Sequence, residues 1–436
     1  MGTNDGPSAE QNLERLYPEV TRCSKCGFCQ PYCPIYRATG VEASVARGHN
    51  AQMRLLLEGR LDLTEDLKAP FFECLLCKAC VANCPPAVAT PEVVVEARAA
   101  YYRRHGRPAV QTLIFRTLLP HPRLMSAAIK PMALAKRLGL AELARRTGLM
   151  GLAYGDLPKA QAILQDLPVR SFTDRLGQTK LSPERADHRV AYFNSCGFNY
   201  ALPQVAQSTV RVLVSSNCGV EVRRNNCCGL PPWSYGDVEA ARHLAKANLR
   251  AFEGFSGEAI LTDCGSCSAF LREYPHLLAD EPDWQERATA FSAKVRDVSE
   301  YLVEIGVGAG AGQLDAVVTY HDPCHLSRPA NIKAQPRSLI KGIRGVAFKE
   351  LPEADWCCGG AGTYYVAHYG QSMQVLERKM GNVAKTGATI VATSCPACIL
   401  QLSHGTRTRG LDVEVVHVTQ LLDRAMRASG SKAGAG

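Results

Sequence analysis

From residue 188 onward, short apolar runs alternate with amphipathic stretches. RVAYFNS, AILTD, AVVTYHDP and TIVATS read as largely buried strands, while DVEAARHLAKANLRAF and GQSMQVLERKMGNVAK carry apolar residues at helical spacing. Strands alternating with helices predict α/β modules. Upstream the pattern differs. Residues 16–108 read as helical connections around two short cysteine runs, and residues 109–150 as short amphipathic helices. Residues 151–187, mixed and polar with several Pro and Gly, read as a linker; residues 1–15 read as a loose head and the tail from 427 as disordered. The expected fold class is α+β. A helical domain at 16–108 leads through a basic helical segment and linker at 109–187 to two repeated α/β modules at 188–310 and 311–426.

The repeat is written in cysteines. Cys196 and Cys324 lie 128 residues apart, Cys227–Cys228 and Cys357–Cys358 lie 130 apart, and Cys264 and Cys267 lie 131 before Cys395 and Cys398. Each module thus offers one Cys, a Cys-Cys-Gly and a Cys-x-x-Cys, mostly near predicted strand ends, where α/β folds place their sites. Gly229 and Gly359 permit a tight path beside the paired cysteines. Cys264 and Cys395 would open helices, whose N-termini favour thiolate. Adjacent cysteines cannot easily cap two corners of a cubane; they suit a more open iron cluster.

A second repeat stands in the N-terminal region. Cys23, Cys26, Cys29 and Cys33, closed by Pro34, recur 51 residues later as Cys74, Cys77, Cys80 and Cys84, closed by Pro85. C-x2-C-x2-C-x3-C-P is the run that binds paired four-iron clusters in bacterial ferredoxins, the fourth thiolate serving the other cluster. By that rule Cys23, Cys26, Cys29 and Cys84 hold one [4Fe-4S] cluster, and Cys74, Cys77, Cys80 and Cys33 the other. The prolines prevent helical continuation and aim the fourth cysteine across, and Gly27 lets backbone N–H groups approach the sulfurs. Zinc sites prefer two separated C-x2-C pairs and fit this doubled run poorly. The two runs and two modules account for eighteen of nineteen cysteines; the remaining Cys218 reads as a small buried hydrophobe.

Composition adds exclusions. Nineteen cysteines in 436 residues without a secretory signal imply thiolate ligands in a cytoplasmic protein rather than disulfides. Residues 386–406 carry no charge, but Gly387, Pro396, Gln401 and His404 interrupt them, so they read as strand, loop and helix rather than a membrane span. The net charge is +9, and residues 109–150 alone hold seven Lys or Arg against one Glu. That segment suits packing on the body of the protein, an anionic membrane surface or a partner. No nucleic-acid reader motif accompanies the charge. No Gly-rich phosphate loop follows a strand, so the chain lacks a flavin or nicotinamide site of its own and needs a partner to meet an organic substrate.

Cys23-x-x-Cys26-Gly-Phe-Cys29, Cys74-Leu-Leu-Cys77, His321-Asp-Pro-Cys324-His325 and Cys357-Cys358-Gly-Gly-Ala-Gly-Thr363-Tyr364 together resemble the cysteine-rich CCG proteins, and in particular the iron-sulfur subunits of glycolate oxidase. The resemblance spans roughly residues 20–425. It implies two [4Fe-4S] clusters, with one or two further non-cubane clusters in the CCG domains. It also implies an FAD-containing partner that oxidises glycolate, lactate or another 2-hydroxy acid, a quinone or other acceptor, and peripheral contact with the inner face of the membrane. No catalytic residue is assigned, and the isolated chain is not expected to act on the organic substrate. Related alternatives are a disulfide reductase of the heterodisulfide reductase type, favoured by the two complete sets of five cysteines, and the iron-sulfur subunit of anaerobic glycerol-3-phosphate dehydrogenase. His321, Asp322 and His325 around Cys324 read either as a turn with local hydrogen bonds or as groups that tune a cluster or relay protons. Arg47-Gly48-His49 reads either as helix packing or as a contact to a cluster or the partner.

Overall fold

The computed structural model describes residues 15–147, 156–164, 166–308 and 311–433. It divides into two compact units: residues 1–115 with Pro231–Ala241, and residues 116–230 with 242–436.

The first unit is helical. Helices Ala46–Leu57 and Thr90–His105 bury Met53, Val93, Val94, Val95 and Tyr101 against Phe71 and Phe72. The longer helix carries Pro91 in its first turn, where the missing N–H costs nothing, and ends at Gly106 with positive φ. Trp233 and Val238 of the 231–241 segment pack on the same core.

The second unit contains two four-stranded sheets, every pairing parallel. Strands β1 (His188–Tyr192), β2 (Cys218–Val222), β3 (Ala259–Thr262) and β4 (Val295–Asp297) lie in the order β2-β1-β3-β4. Strands β5 (Gln313–Tyr320), β6 (Arg344–Phe348), β7 (Ile390–Thr393) and β8 (Glu414–His417) repeat it as β6-β5-β7-β8. The central strands β3 and β7 are buried along their whole length, as a parallel sheet covered on both faces requires. The fold is therefore α+β, a helical unit followed by two repeated α/β modules. In this strand order the chain reverses direction between the first and third strands of each sheet. The crevice at their carboxyl ends is where such sheets place ligands.

The segment read as a linker is packed over residues 156–164: Asp156 N–H donates to the Val366 carbonyl (2.7 Å), and Ala160 and Ile163 pack on Tyr365. The last helix, Val418–Ala433, runs into the tail read as disordered, anchored by buried Leu421, Leu422 and Ala425. The uncharged 386–406 stretch is strand β7 followed by helix Pro396–Thr408, and no helix among the described residues is long and apolar enough to cross a membrane.

Candidate metal centres

Both N-terminal runs coil in the same way. Lys25 and Gly27 have positive φ, and so do Leu76 and Lys78, their counterparts 51 residues on. Alternating left-handed residues curl each loop, and in the second run Cys74, Cys77 and Cys80 face one cavity. At Gly27 this conformation is free of strain; at Leu76 and Lys78 it is a strain that the surroundings must hold. Gly48 is required for another reason, since a side chain there would strike the Glu42 carbonyl.

Cys33, Cys74, Cys77 and Cys80 line one cavity of about 30 Å³, together with His49 and Ile35. The fourth cysteine of the first run thus sits with the first three of the second. Cys33 caps helix Pro34–Thr39, its sulfur accepting from Tyr36 N–H at 3.5 Å. Pro34 therefore begins a helix, where sequence reading had it only preventing one. After Cys84 the chain makes a turn instead, Ala87 N–H donating to the Cys84 carbonyl. The start of the first run is tied to the end of the second: Arg22 donates to the Pro86 carbonyl, and Ala89 N–H to Glu19 Oε1 at 2.5 Å.

Burial pushes the Cys33 thiol up to about 12 and Cys80 well above its ordinary value, and the neighbouring Cys74 sulfur pushes both further. Four sulfurs crowded at mutual cost are relieved by a cation, so the donor set fits an iron centre. Arg98, which sequence reading missed, is buried and holds this loop. Its guanidinium donates to the carbonyls of Phe71 (2.8 and 3.0 Å), Cys74 (2.6 Å) and Ser234 (2.5 Å). The signal was a lone cation inside the apolar run VVVEARAAYY. Arg47 bonds Glu42 and the Lys25 carbonyl, and His49 bonds the Pro70 carbonyl and stacks on Phe71.

In the second unit the three cysteine elements of each module follow the carboxyl ends of its first three strands. Cys196 Sγ faces Cys227 at 3.8 Å, and Cys358 Sγ faces Cys398 at 3.4 Å. Cys228 and Cys267 lie near enough to shift each other's titration, as do Cys264 and Cys267, Cys395 and Cys398, and Cys324 and Cys357. Cys264 reaches Cys395 in the same way. All ten thiols therefore form one row, Cys196–Cys227–Cys228–Cys267–Cys264 followed by Cys395–Cys398–Cys358–Cys357–Cys324. It is a quasi-twofold arrangement centred on the Cys264–Cys395 contact. Gly229 and Gly359 both have positive φ, and a side chain at Gly359 would meet the Ser372 carbonyl at 2.6 Å. Cys264 and Cys395 are the N-caps of helices Gly265–Arg272 and Pro396–Thr408. The Cys358 sulfur, then Cys395 and burial, push Cys398 well up, and Cys228 does the same to Cys267. Cys228, Cys357 and Cys395 are instead held below the ordinary thiol value by neighbouring thiols. Ten adjoining sulfurs exceed what one tetrahedral zinc can use; they fit iron-sulfur centres that share their charge among several irons. Cys218 stands apart at the start of β2, fully buried, with burial pushing its thiol to about 12.

The modules meet closely beside this row. A Cβ on Gly197 would lie 2.6 Å from Pro396 Cγ, and one on Gly265 would lie 2.7 Å from Leu326 Cβ. Gly265 N–H donates to the Ser394 carbonyl (2.8 Å), His417 bonds the Asp263 carbonyl (2.9 Å), and Ser208 and Arg211 bond Asp423.

The groups around Cys324 part company. Asp322 is clamped by both terminal nitrogens of Arg337 at 2.8 Å, a structural ion pair. His325 Nδ1 lies 3.6 Å from Cys324 Sγ. His321 is fully buried, with a ligand nitrogen, Cys358 Sγ and Cys398 Sγ all within 4.8 Å of one another; burial pulls its imidazole down to about 3. Lys379, also fully buried, donates to the Glu353 and Ala354 carbonyls, and burial lowers it to about 8.

Residues 116–147 of the basic segment belong to the second unit. Helix Pro122–Arg137 buries only Ala133 and leaves Leu124, Met132 and Leu134 exposed, Met132 by 63%. Leu138, Leu140 and Leu143 follow, Leu138 exposed by 65%. Packing on the body of the protein thus accounts for few of its apolar residues.

Comparison with known proteins places these features in families. Residues 19–88 match the 4Fe-4S dicluster domain, residues 190–272 and 318–403 the cysteine-rich domain, and residues 106–164 the linker region of the glycolate oxidase iron-sulfur subunit. A probable glycolate oxidase iron-sulfur subunit of Bacillus subtilis (strain 168) is 34% identical over 424 residues, 95% of this chain and 95% of that protein. Lactate utilization protein A of Oceanobacillus iheyensis is 30% identical over 237 residues, 54% of this chain and 96% of that protein. In fold, the chain resembles the crystal structure of a hypothetical protein from Helicobacter pylori, with a TM-score of 0.52 at 9% identity, covering 96% of this chain and 76% of that one.

Proposed function

The chain belongs to the glycolate oxidase iron-sulfur subunit family, and from that premise we propose that it is the electron-transfer subunit of a flavin-dependent 2-hydroxyacid dehydrogenase. It would take electrons from an FAD-containing partner and pass them to a quinone or another acceptor. The observation that carries this reading is the seating of Cys33 with Cys74, Cys77 and Cys80 around one cavity. That exchange of the fourth thiol is what a pair of ferredoxin-type clusters demands.

In this reading Cys23, Cys26, Cys29 and Cys84 hold one [4Fe-4S] cluster, and Cys74, Cys77, Cys80 and Cys33 the other. Cys196, Cys227, Cys228, Cys264 and Cys267 hold a further, non-cubane cluster, and Cys324, Cys357, Cys358, Cys395 and Cys398 its counterpart. When bound, such groups supply one-electron transfer. The chain's own residues supply the rest. Buried thiols keep water away, Arg98 holds the Cys74 loop, and Lys379 and Arg337 place cations beside the second module's loops. In this reading the organic substrate belongs to the partner. The purified chain mixed with glycolate or lactate should give no turnover, and adding its flavoprotein should restore it. Turnover by the chain alone would overturn this assignment.

The unbroken row of ten thiols, eight of them buried, favours a second reading, in which a disulfide is reduced at the CCG centres. That reading requires a disulfide to reoxidise the reduced protein. The exposed apolar residues of 124–143, interleaved with Arg123, Lys130 and Arg137, further support peripheral attachment to an anionic membrane surface.

A further inference from the structure

The two five-thiol sites are alike in their cysteines and unlike in one buried neighbour. Phe193 and His321 are the same position of the repeat. Each follows the last residue of its first strand, Tyr192 or Tyr320. Each sends its backbone N–H to the third strand, Phe193 to the Leu261 carbonyl (2.8 Å) and His321 to the Ala392 carbonyl (2.9 Å). Both side chains are fully buried. Phe193 stacks on Phe252 and asks for no hydrogen bond. His321 carries two ring nitrogens, and neither has a hydrogen-bond partner. The Ala354 carbonyl nearby is already taken by Asp322 N–H (3.0 Å) and Lys379 Nζ (3.1 Å). What faces the ring instead is sulfur, from Cys358 and Cys398.

A neutral imidazole has one N–H, and a buried N–H without an acceptor is rarely tolerated. The first module completes the same set of five cysteines with a phenylalanine in this place, so the imidazole is not needed as a sixth ligand. Donation to sulfur is the role left. Hydrogen bonds to ligand sulfurs and nearby positive charge both stabilise the reduced form of an iron-sulfur centre. The second module has both, since Lys379 stands 131 residues beyond Asn248, a neutral side chain that bonds the Cys227 carbonyl.

We infer that His321 donates its ring N–H to the Cys358 and Cys398 sulfurs, making the second five-thiol site the more readily reduced of the two. His321 is then a positioning and tuning residue, and the repeat is a pair of unequal electron sites. This rests on the reading that both sites hold iron-sulfur centres.

The test is an EPR-monitored redox titration, with iron analysis, of the full chain purified without oxygen, as wild type, H321F and H321Q. H321F should keep its iron and lower one midpoint by at least the equivalent of a tenfold change in the reduction equilibrium, about 59 mV for one electron. The other midpoints should stay in place. H321Q, whose amide can still donate, should fall between. Unchanged midpoints at full iron content would overturn the inference alone. Loss of iron from H321F would overturn it too, making His321 a ligand. Wild type holding only about eight irons, those of the two ferredoxin-type clusters, would overturn it together with the reading beneath it.

Discussion

Substituting Gly265 by alanine tests whether the two modules are pressed together where their thiol rows join. The new Cβ would lie 2.7 Å from Leu326 Cβ and 3.3 Å from the Ser394 carbonyl oxygen. Carbon atoms rest about 3.5–4.0 Å apart, so the modules must separate by about 1 Å beside Cys264. Overpacking of this kind costs about 1–3 kcal/mol. At about 2–4 °C per kcal/mol, the melting temperature should fall by roughly 2–12 °C. Gly177 is the control: its Cβ would meet nothing within 4 Å, and its φ is not positive. Circular dichroism melts of the iron-loaded G265A and G177A proteins, with EPR of each, give the answer. G265A should melt lower and alter the signals of the five-thiol centres, whose Cys264–Cys395 contact it opens. A G265A protein that melts with G177A and shows wild-type signals would refute the claim of a tight junction.

Arg98→Met leaves the Phe71, Cys74 and Ser234 carbonyls without their donor. At about 1–3 kcal/mol for each buried unsatisfied group, it should cost several kcal/mol and release iron from one cluster; wild-type iron content and melting temperature would count against this. His417 is buried, its imidazole pulled by burial down to about 4, with bonds to Thr419 and the Asp263 carbonyl. Because the folded state binds the proton less readily than the unfolded chain, this residue's contribution is complete above about pH 6.5 and is lost as pH falls toward 4, about 3 kcal/mol in all. The melting difference between wild type and His417→Gln should therefore shrink on acidification from pH 7 to pH 5, and a constant difference would exclude the mechanism. The chain should sediment with vesicles containing anionic lipid, less so in high salt, and Met132→Glu with Leu138→Glu should abolish the binding; equal binding to neutral vesicles would contradict it.

Much of this was legible in the residues. The 51-residue and near-130-residue cysteine offsets gave both repeats, and the strand pattern gave modules whose cysteines follow strand ends. Local conformation was legible only where propensity agreed with it. Gly27 announced its left-handed turn, whereas its counterpart Lys78 adopts φ 58° against its own preference. The Cys264–Cys395 contact was hidden because it depends on how two modules dock, which short-range periodicity does not encode. His321 was visible as a candidate beside Cys324, yet it faces Cys358 and Cys398, brought to it by the loop after β6 and the helix after β7. The final helix was missed because small polar residues from 427 onward masked its apolar stripe of Leu421, Leu422 and Ala425.

The central claim is that both the ferredoxin-type runs and the five-thiol rows hold iron and sulfide. Iron, zinc and acid-labile sulfide should be measured with EPR on protein purified without oxygen. About twelve to sixteen irons per chain, matched by sulfide and with signals beyond those of cubane clusters, is the predicted result. Zinc without sulfide, or about eight irons showing cubane signals only, would contradict it.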